Sequence, residues 1–334
     1  MKAFQVNRYG KKETLVLSEV LEPIINDHEV LVKVHATAVN LLDTLIKNGD
    51  FKVFLPYKTP FTNGHDMAGV ITKVGKKVSR WKVGDEVYAR PSDFHIGTFA
   101  EYIAVNEDDL AFKPKHISME EASSIPLVGL TSWQALVEIA NVKKGQKVFI
   151  QAGSGGVGTF AIQLAKHLGA FVATTTSTSN FELVKSLGAD LIFDYTKEDF
   201  STILKEYDVV LHSNRDPLIL KKSLGILKPG GYLVSLTGPP TPKFAKEIGL
   251  GWPFQILMQL LSLSVRNVAK KLNVHFEFLF MKANGKQLTE ITSLMDAGII
   301  RPVIDRVFPF EKTNQAMSYV ETGRSKGKVV IKVI

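Results

Sequence analysis

The sequence predicts an α/β protein with two parts: a β-rich, barrel-like N-terminal part and a doubly wound parallel sheet. Three observations carry this prediction. Short strands with regular turn signals fill roughly the first 120 residues. Strand and helix patterns then alternate between about residues 147 and 236. At the head of that alternation, Gly153, Gly155 and Gly158 stand between an apolar run, Lys147-Val148-Phe149-Ile150, and a helical pattern from Thr159 to Leu168.

The N-terminal strands come first. Val30 to Ala36 alternates as a half-buried strand should. Gly69 to Gly75 is a second strand, bounded by glycines. Val83 to Ala89 places a Gly-Asp turn ahead of a third, and Thr98 to Val105 gives a fourth. Helical patterns follow at Met119 to Ile125 and Gly129 to Ala140. The alternation then reads strand 147–152, helix 156–168, strand 170–176, helix 180–187, strand 190–193, helix 198–206, strand 208–212, helix 217–226 and strand 231–236. Connections of this length mean βαβ units, whose right-handed crossovers set helices on both faces of a parallel sheet. After the turn Gly238-Pro239-Pro240-Thr241-Pro242 come an apolar helical region and a strand-like run, Val274 to Phe280. A helix from Gln287 to Ala297 and a closing strand, Val329 to Val333, complete the chain and are expected to return to the N-terminal part.

Composition narrows the function classes. The 334 residues are enough for two domains, and 45% hydrophobic with 22% charged residues describes an ordinary globular chain. No cysteine is present, which excludes disulfides, thiolate metal ligands and a catalytic thiol, and fits a cytoplasmic location. The N-terminus lacks the apolar core of a signal peptide. Trp252 to Val265 is the most membrane-like stretch. It is shorter than the roughly 20 apolar residues of a span and carries Gln255, Gln259, Ser262 and Ser264. It reads as a buried or interface helix, with no membrane partner. The net charge of +8 comes from scattered lysines without a basic run. That favours a solvated surface attracting an anionic cofactor over a nucleic-acid partner.

The glycine turn has the G-x-G-x-x-G spacing of a dinucleotide site. The first glycine permits the tight turn, the second lets amides approach a pyrophosphate, and the third lets helix pack on strand. The phosphates then meet a helix N-terminus, where unpaired N–H groups favour negative charge. An acid about 20 residues on would select NAD through its ribose hydroxyls. Here Ala173 to Asn180 holds none, and the hydroxyls of Thr176, Ser177 and Ser179 with the Asn180 amide can donate to a 2′-phosphate. NADPH is the expected cofactor.

Further motifs run the length of the chain: Ala38 to Asp43, Gly64 to Ile71, Gly84 to Val87, Gly97 to Tyr102, Ala152 to Gly158, Ser186 to Asp190, Lys228 to Gly231 and Gly327 to Val330. In this order and spacing they resemble the medium-chain dehydrogenase/reductase superfamily, in its zinc-free quinone oxidoreductase branch. The resemblance implies a GroES-like catalytic domain over 1–122 and 284–334 and a Rossmann domain over 123–283. It implies NAD(P)H-dependent reduction of quinones or activated alkenes, by hydride transfer in a cleft between domains. It places Asn40 and Thr131 near the nicotinamide, Ser154, Gly155, Gly156 and Val157 around the pyrophosphate, and Tyr195 near the adenosine ribose. Ser213 and Thr237 follow at the carboxyl ends of strands, and Phe278, Leu279 and Phe280 flank the nicotinamide. Relatives that use NADPH commonly carry a basic residue after the second strand. Here Arg324 or Lys326 is expected to compensate. Relatives also carry a tyrosine two residues past the pair Asp43-Thr44. This chain has Leu45-Ile46 there, with Tyr57 or Trp252 as replacements.

Zinc-dependent members have Gly-His-Glu where this chain has Gly64-His65-Asp66, but Asn40 stands at the first cysteine ligand position. A catalytic zinc takes three protein ligands. His65 and Asp66 supply two at best, and neighbouring strand residues point opposite ways. No metal site is therefore expected, and the acceptor is a conjugated carbon system. No general acid or other catalytic residue stands out. The rival readings are a metal-dependent alcohol dehydrogenase at His65 and Asp66, an NADPH sensor or RNA-binding protein without turnover, and, third, a membrane-surface role through Trp252 to Val265. A homodimer is expected through pairing of an edge strand near 274–280.

Overall fold

The computed structural model describes residues 1–334. The chain divides into two compact units, Met1–Leu130 with Lys282–Ile334, and Thr131–Met281.

The first unit is built on the long strand Glu29–Val39, whose Val30, Val32 and Val34 face one apolar core with Met67, Ile71, Val87 and Val105. It pairs antiparallel with Asp66–Val74 and with Tyr102–Asn106. Its far half takes the closing strand Lys328–Lys332, with Val329 opposite Val39 and Val330 opposite Ala38. A second apolar cluster gathers Phe4, Val6, Phe99, Phe310, Met317 and Ile331, so residues from both ends of the sequence share one core. Strand pairing at this separation must be secured by burial, because closing so long a loop costs entropy.

The helix Leu41–Asn48 leaves the end of the long strand. Asp43 sits in its first turn, where a carboxylate complements the helix dipole, and its Oδ2 accepts from the Asn40 amide at 2.6 Å. Gly49, at φ 87°, ends it in a left-handed cap.

The second unit is a six-stranded parallel sheet. From edge to edge it runs Leu191–Asp194, Phe171–Thr176, Lys147–Ile150, Tyr207–His212, Leu227–Ser235 and His275–Phe278. Chain order therefore reverses between Lys147–Ile150 and Tyr207–His212, the place where such sheets open a crevice at their carboxyl ends. Phe149, Ala173, Val210 and Leu233 pack on Phe200, Leu220, Leu224, Val265 and Ala269, which glues three helices to one face.

Two expectations need correction, and a third narrows. The pattern at 198–206 suggested a full helix, but only Phe200–Ile203 is helical. Leu204 turns extended and Glu206 takes φ 59°, because the chain must reach the strand starting at Tyr207 while keeping Phe200 and Leu204 buried. The helix expected over 129–140 is α-helical only through Trp133. Gln134–Ile139 widens to a π-helical turn, with Ala140 N–H donating to Ala135 O at 3.0 Å. Of the two alternatives for Trp252 to Val265, a buried or an interface helix, the buried one does not hold. Within the helix Trp252–Lys271, only Met258, Ser262, Val265 and Ala269 are buried, while Trp252 is 71% and Leu260 64% exposed. Its apolar residues lie on every side, and the neighbouring elements cover one narrow stripe.

Candidate active site

The glycine turn sits where Lys147–Ile150 leaves the sheet. Gly153 N–H donates to Thr175 O at 2.9 Å and Gly155 N–H to Ala152 O at 3.0 Å. The left-handed residue of the turn is Ala152, at φ 53°, not Gly153. Gly153 is required for a different reason: a Cβ there would stand 2.1 Å from Thr174 Oγ1. At Gly158 it would stand 2.3 Å from Ala152 O, so the helix lies directly on the turn. Gly155 meets only one atom, at 3.3 Å, and its other side is open for a ligand. It is the N-cap of the helix Gly156–His167 and brings no side-chain acceptor, so the first amides of that helix keep their N–H groups for an anion.

Beside the turn the structure gathers the polar residues expected at the ribose end. Thr176 Oγ1 donates to Ser154 Oγ at 2.8 Å, and Asn180 Nδ2 lies 3.2 Å from the same oxygen. Asn180 Nδ2 also reaches Ser177 Oγ at 3.1 Å, and Ser177 and Ser179 share a hydrogen bond of 3.1 Å. Asn180 Oδ1 is buried without a partner, an acceptor suited to a ribose hydroxyl. Tyr195 is 66% exposed at the end of the adjoining strand.

Two residues here escaped the sequence reading. Parallel register sets Asp194 opposite Thr176, so an acid does stand near the ribose end. Its charge is already engaged. Thr178 donates from both Oγ1 and N, and Thr196 donates from Oγ1 at 2.6 Å and N at 2.9 Å. The hydroxyls of Thr178 and then Thr196 hold this carboxyl well below the usual carboxylate range. Lys197 is the second residue. Its Nζ donates to Thr178 Oγ1 at 3.0 Å and lies 3.7 Å from Asp194 Oδ2, which brings a cation to the hydroxyl cluster. Arg324 and Lys326, expected in that role, lie exposed in the first unit, in the turn before Lys328–Lys332.

At the carboxyl ends of the middle strands, Ser213 N–H donates to Gln151 Oε1 at 3.2 Å and Thr237 Oγ1 to Asn214 O at 2.6 Å. His212, 1% exposed, meets Ser235 Oγ through Nδ1 at 2.9 Å. Ser235 Oγ also accepts from Gly238 N–H at 2.6 Å, and His212 Nε2 is buried without a partner. Burial pushes this imidazole down to about 4. Leu279 N–H donates to Ser235 O at 2.9 Å, and the rings of Phe278 and Phe280 each lie 5.2 Å from Phe244. Thr131, buried, opens the second unit.

The first unit holds a separate buried polar cluster. Asp43 Oδ1 meets His65 Nδ1 at 2.5 Å, with both side chains fully buried. Asp66 Oδ1 accepts from Leu127 N–H at 2.7 Å. Its Oδ2 accepts from Asn40 Nδ2 at 2.9 Å and from Lys328 Nζ at 3.0 Å. Lys328 also donates to Asn40 Oδ1. Asn40 therefore has both ends of its amide fixed within this unit. Tyr57 accepts from Phe94 N–H at 3.3 Å, stacks on Phe61 and is pushed up to about 12 by burial, so it keeps its proton as a donor. Trp252 is 71% exposed at the start of its helix.

Residues 26–115 match the alcohol dehydrogenase GroES-like domain, and residues 187–331 match the zinc-binding dehydrogenase family. The chain is 38% identical to the 2-methylene-furan-3-one reductase of Solanum lycopersicum, over 99% of this chain and 79% of that one. It is 37% identical to the chloroplastic NADPH-dependent alkenal/one oxidoreductase of Arabidopsis thaliana, again over 99% and 79%. The structure of the quinone oxidoreductase from Coxiella burnetii superposes with a TM-score of 0.86 at 31% identity, covering 100% of this chain and 99% of that one. The chain belongs to the medium-chain dehydrogenase/reductase superfamily, in its quinone oxidoreductase branch. The GroES-like and Rossmann architecture expected from the motifs is the architecture found.

Part of this superfamily is named for zinc, and the donors of this member do not fit that ion. His65 offers one free nitrogen, its buried Nε2, but both oxygens of Asp66 are taken by Leu127, Asn40 and Lys328. An ammonium group stands against the carboxylate where a zinc ligand would need its free lone pair, and no group of three His, Cys, Asp or Glu side chains converges anywhere in the chain. The sequence shows Lys328 only within the motif Gly327 to Val330 and hides its pairing, because its partners lie 262 and 288 positions away.

Proposed function

We propose that this protein is an NADPH-dependent oxidoreductase that reduces a quinone or an α,β-unsaturated carbonyl compound, without a catalytic zinc. The observation that carries the reading is the glycine turn with its open helix N-terminus, set beside a hydroxyl and amide cluster whose one nearby acid is already engaged. The similar proteins named as alkenal/one and quinone oxidoreductases support the acceptor class.

NADPH, when bound, supplies a hydride to a carbon of the conjugated acceptor. The residues of the chain bind and orient. The amides that open the helix Gly156–His167 hold the pyrophosphate, with Gly153, Ser154, Gly155, Gly156, Val157 and Gly158 forming the cradle. Thr176, Ser177, Ser179, Asn180 and Tyr195 receive the ribose and its 2′-phosphate, with Lys197 supplying the positive charge. Thr131, Ser213, Thr237 and Phe278 to Phe280 border the path to the nicotinamide. We also propose a cytoplasmic homodimer joined through His275–Phe278, which has a strand neighbour on one side only. The protein contributes proximity, orientation and exclusion of water, effects large enough to accelerate hydride transfer without a Lewis acid.

Steady-state oxidation of NADPH against paired quinones and enones, repeated with NADH, tests the proposal. The expected result is turnover with at least one acceptor class and a kcat/KM at least about tenfold higher with NADPH, the worth of one good phosphate contact. Binding of NADPH without oxidation across the panel would refute the enzymatic reading.

A further inference from the structure

The helix Trp252–Lys271 carries the largest group of exposed apolar side chains in the protein. Met258, Ser262, Val265 and Ala269, spaced four, three and four residues apart, form its inward stripe. The opposite stripe follows the same spacing through Trp252, Ile256, Leu260 and Leu263, then Asn267, and ends at Lys270 and Lys271. Leu257 and Leu261 widen it at 48% and 56% exposure. One helix thus presents about three turns of apolar surface followed by a turn of positive charge. No acidic residue occurs between Ile248 and Phe276, while Arg266, Lys270 and Lys271 are all exposed.

We propose that this face docks in the plane of an anionic lipid bilayer. No helix of the protein is long and apolar enough to cross a membrane, so the helix lies on the surface. Trp252 and the leucines enter the boundary between headgroups and acyl chains, the depth that tryptophan prefers. The two lysines and Arg266 meet the lipid phosphates. A second copy of the chain fits less well. A copy would bring no acid from this helix to face the three cations. An anionic bilayer supplies both an apolar interior and negative charge. This docking does not rest on the proposed reduction, though it would place the enzyme where hydrophobic quinones dissolve. It takes up the membrane-surface reading of Trp252 to Val265 in place of the expectation of no membrane partner.

Flotation of the full chain with vesicles tests it, using phosphatidylcholine with or without about one third phosphatidylglycerol. The expected result is co-flotation with the anionic vesicles that weakens in high salt. Leu260→Glu, and separately Lys270→Glu with Lys271→Glu, should each lower the bound fraction about tenfold or more. Circular dichroism and Tm should stay unchanged, since these side chains touch solvent. Absence of wild-type flotation with anionic vesicles would overturn the proposal, as would equal flotation of both variants. It would also fall if light scattering showed a dimer that Leu260→Glu splits into monomers, because the face would then belong to a second copy.

Discussion

Replacing Lys328 with methionine tests the account of the buried cluster most directly. The change keeps most of the side-chain volume and removes the ammonium. Lys328 is 5% exposed and Asp66 fully buried, so the carboxylate would lose its cation in a place that water does not reach. Leaving one partner of a buried pair uncompensated costs about 3–5 kcal/mol. Asp66 retains Leu127 N–H at 2.7 Å and Asn40 Nδ2 at 2.9 Å, which moves the figure toward the lower end. The Asn40 oxygen loses its donor as well and adds about 1 kcal/mol. The expected loss is therefore about 3–4 kcal/mol. Urea unfolding measures it, followed through Trp81, which is buried in the first unit, with Trp133 and Trp252 replaced by phenylalanine. Adding Asp66→Asn should restore about 2 kcal/mol, because the uncompensated charge disappears while an oxygen remains for Leu127. A single-variant loss below about 1 kcal/mol, or two losses that simply add, would show that the pair is not the electrostatic unit described.

Two further outcomes follow from the second unit. His212 titrates at about 4 in the fold and at about 6.5 when unfolded, so the unfolded chain binds its proton more readily. Stability from this residue is full above about pH 6.5 and falls as pH drops toward 4. It loses about 2 kcal/mol between about pH 7.5 and 5, and His212→Asn should flatten that slope in urea titrations at the two pH values. Lys197→Gln should lower kcat/KM with NADPH about tenfold while leaving NADH within about twofold; an equal loss with both cofactors would remove Lys197 from the 2′-phosphate site.

The parts of this molecule that were legible from the sequence are those written in local spacing. Gly153, Gly155 and Gly158 announce their turn within six residues, and the alternation of strand and helix announces the sheet. Even there the reason for one glycine was misread, since Ala152 takes the left-handed conformation and Gly153 is held by its contact with Thr174. The contacts that escaped depend on register. Asp194 lies 18 positions after Thr176 in the chain, yet parallel pairing sets the two side by side. Lys328 reaches Asp66 only because the closing strand pairs with Glu29–Val39. The exposed helix escaped for another reason. Apolar residues at nearly every position of Trp252–Leu263 give no periodicity that says which side is covered.

The two units treat charge in the same way, and this bears on what they can bind. Each buried carboxylate near a candidate site is engaged by the chain itself: Asp43 by His65 and the Asn40 amide, Asp66 by Lys328, Asn40 and Leu127, and Asp194 by Thr178 and Thr196. A cation would have to displace those partners, at the cost of leaving donors or a buried ammonium unpaired. The first amides of Gly156–His167 are in the opposite condition, for their N-cap is a glycine that offers them nothing. Beside them, hydroxyls at Ser154, Ser177 and Ser179 can turn their protons toward a ligand. Committed carboxylates and uncommitted N–H groups favour a ligand with several negative charges over a metal ion. The net charge of +8 draws such a ligand in.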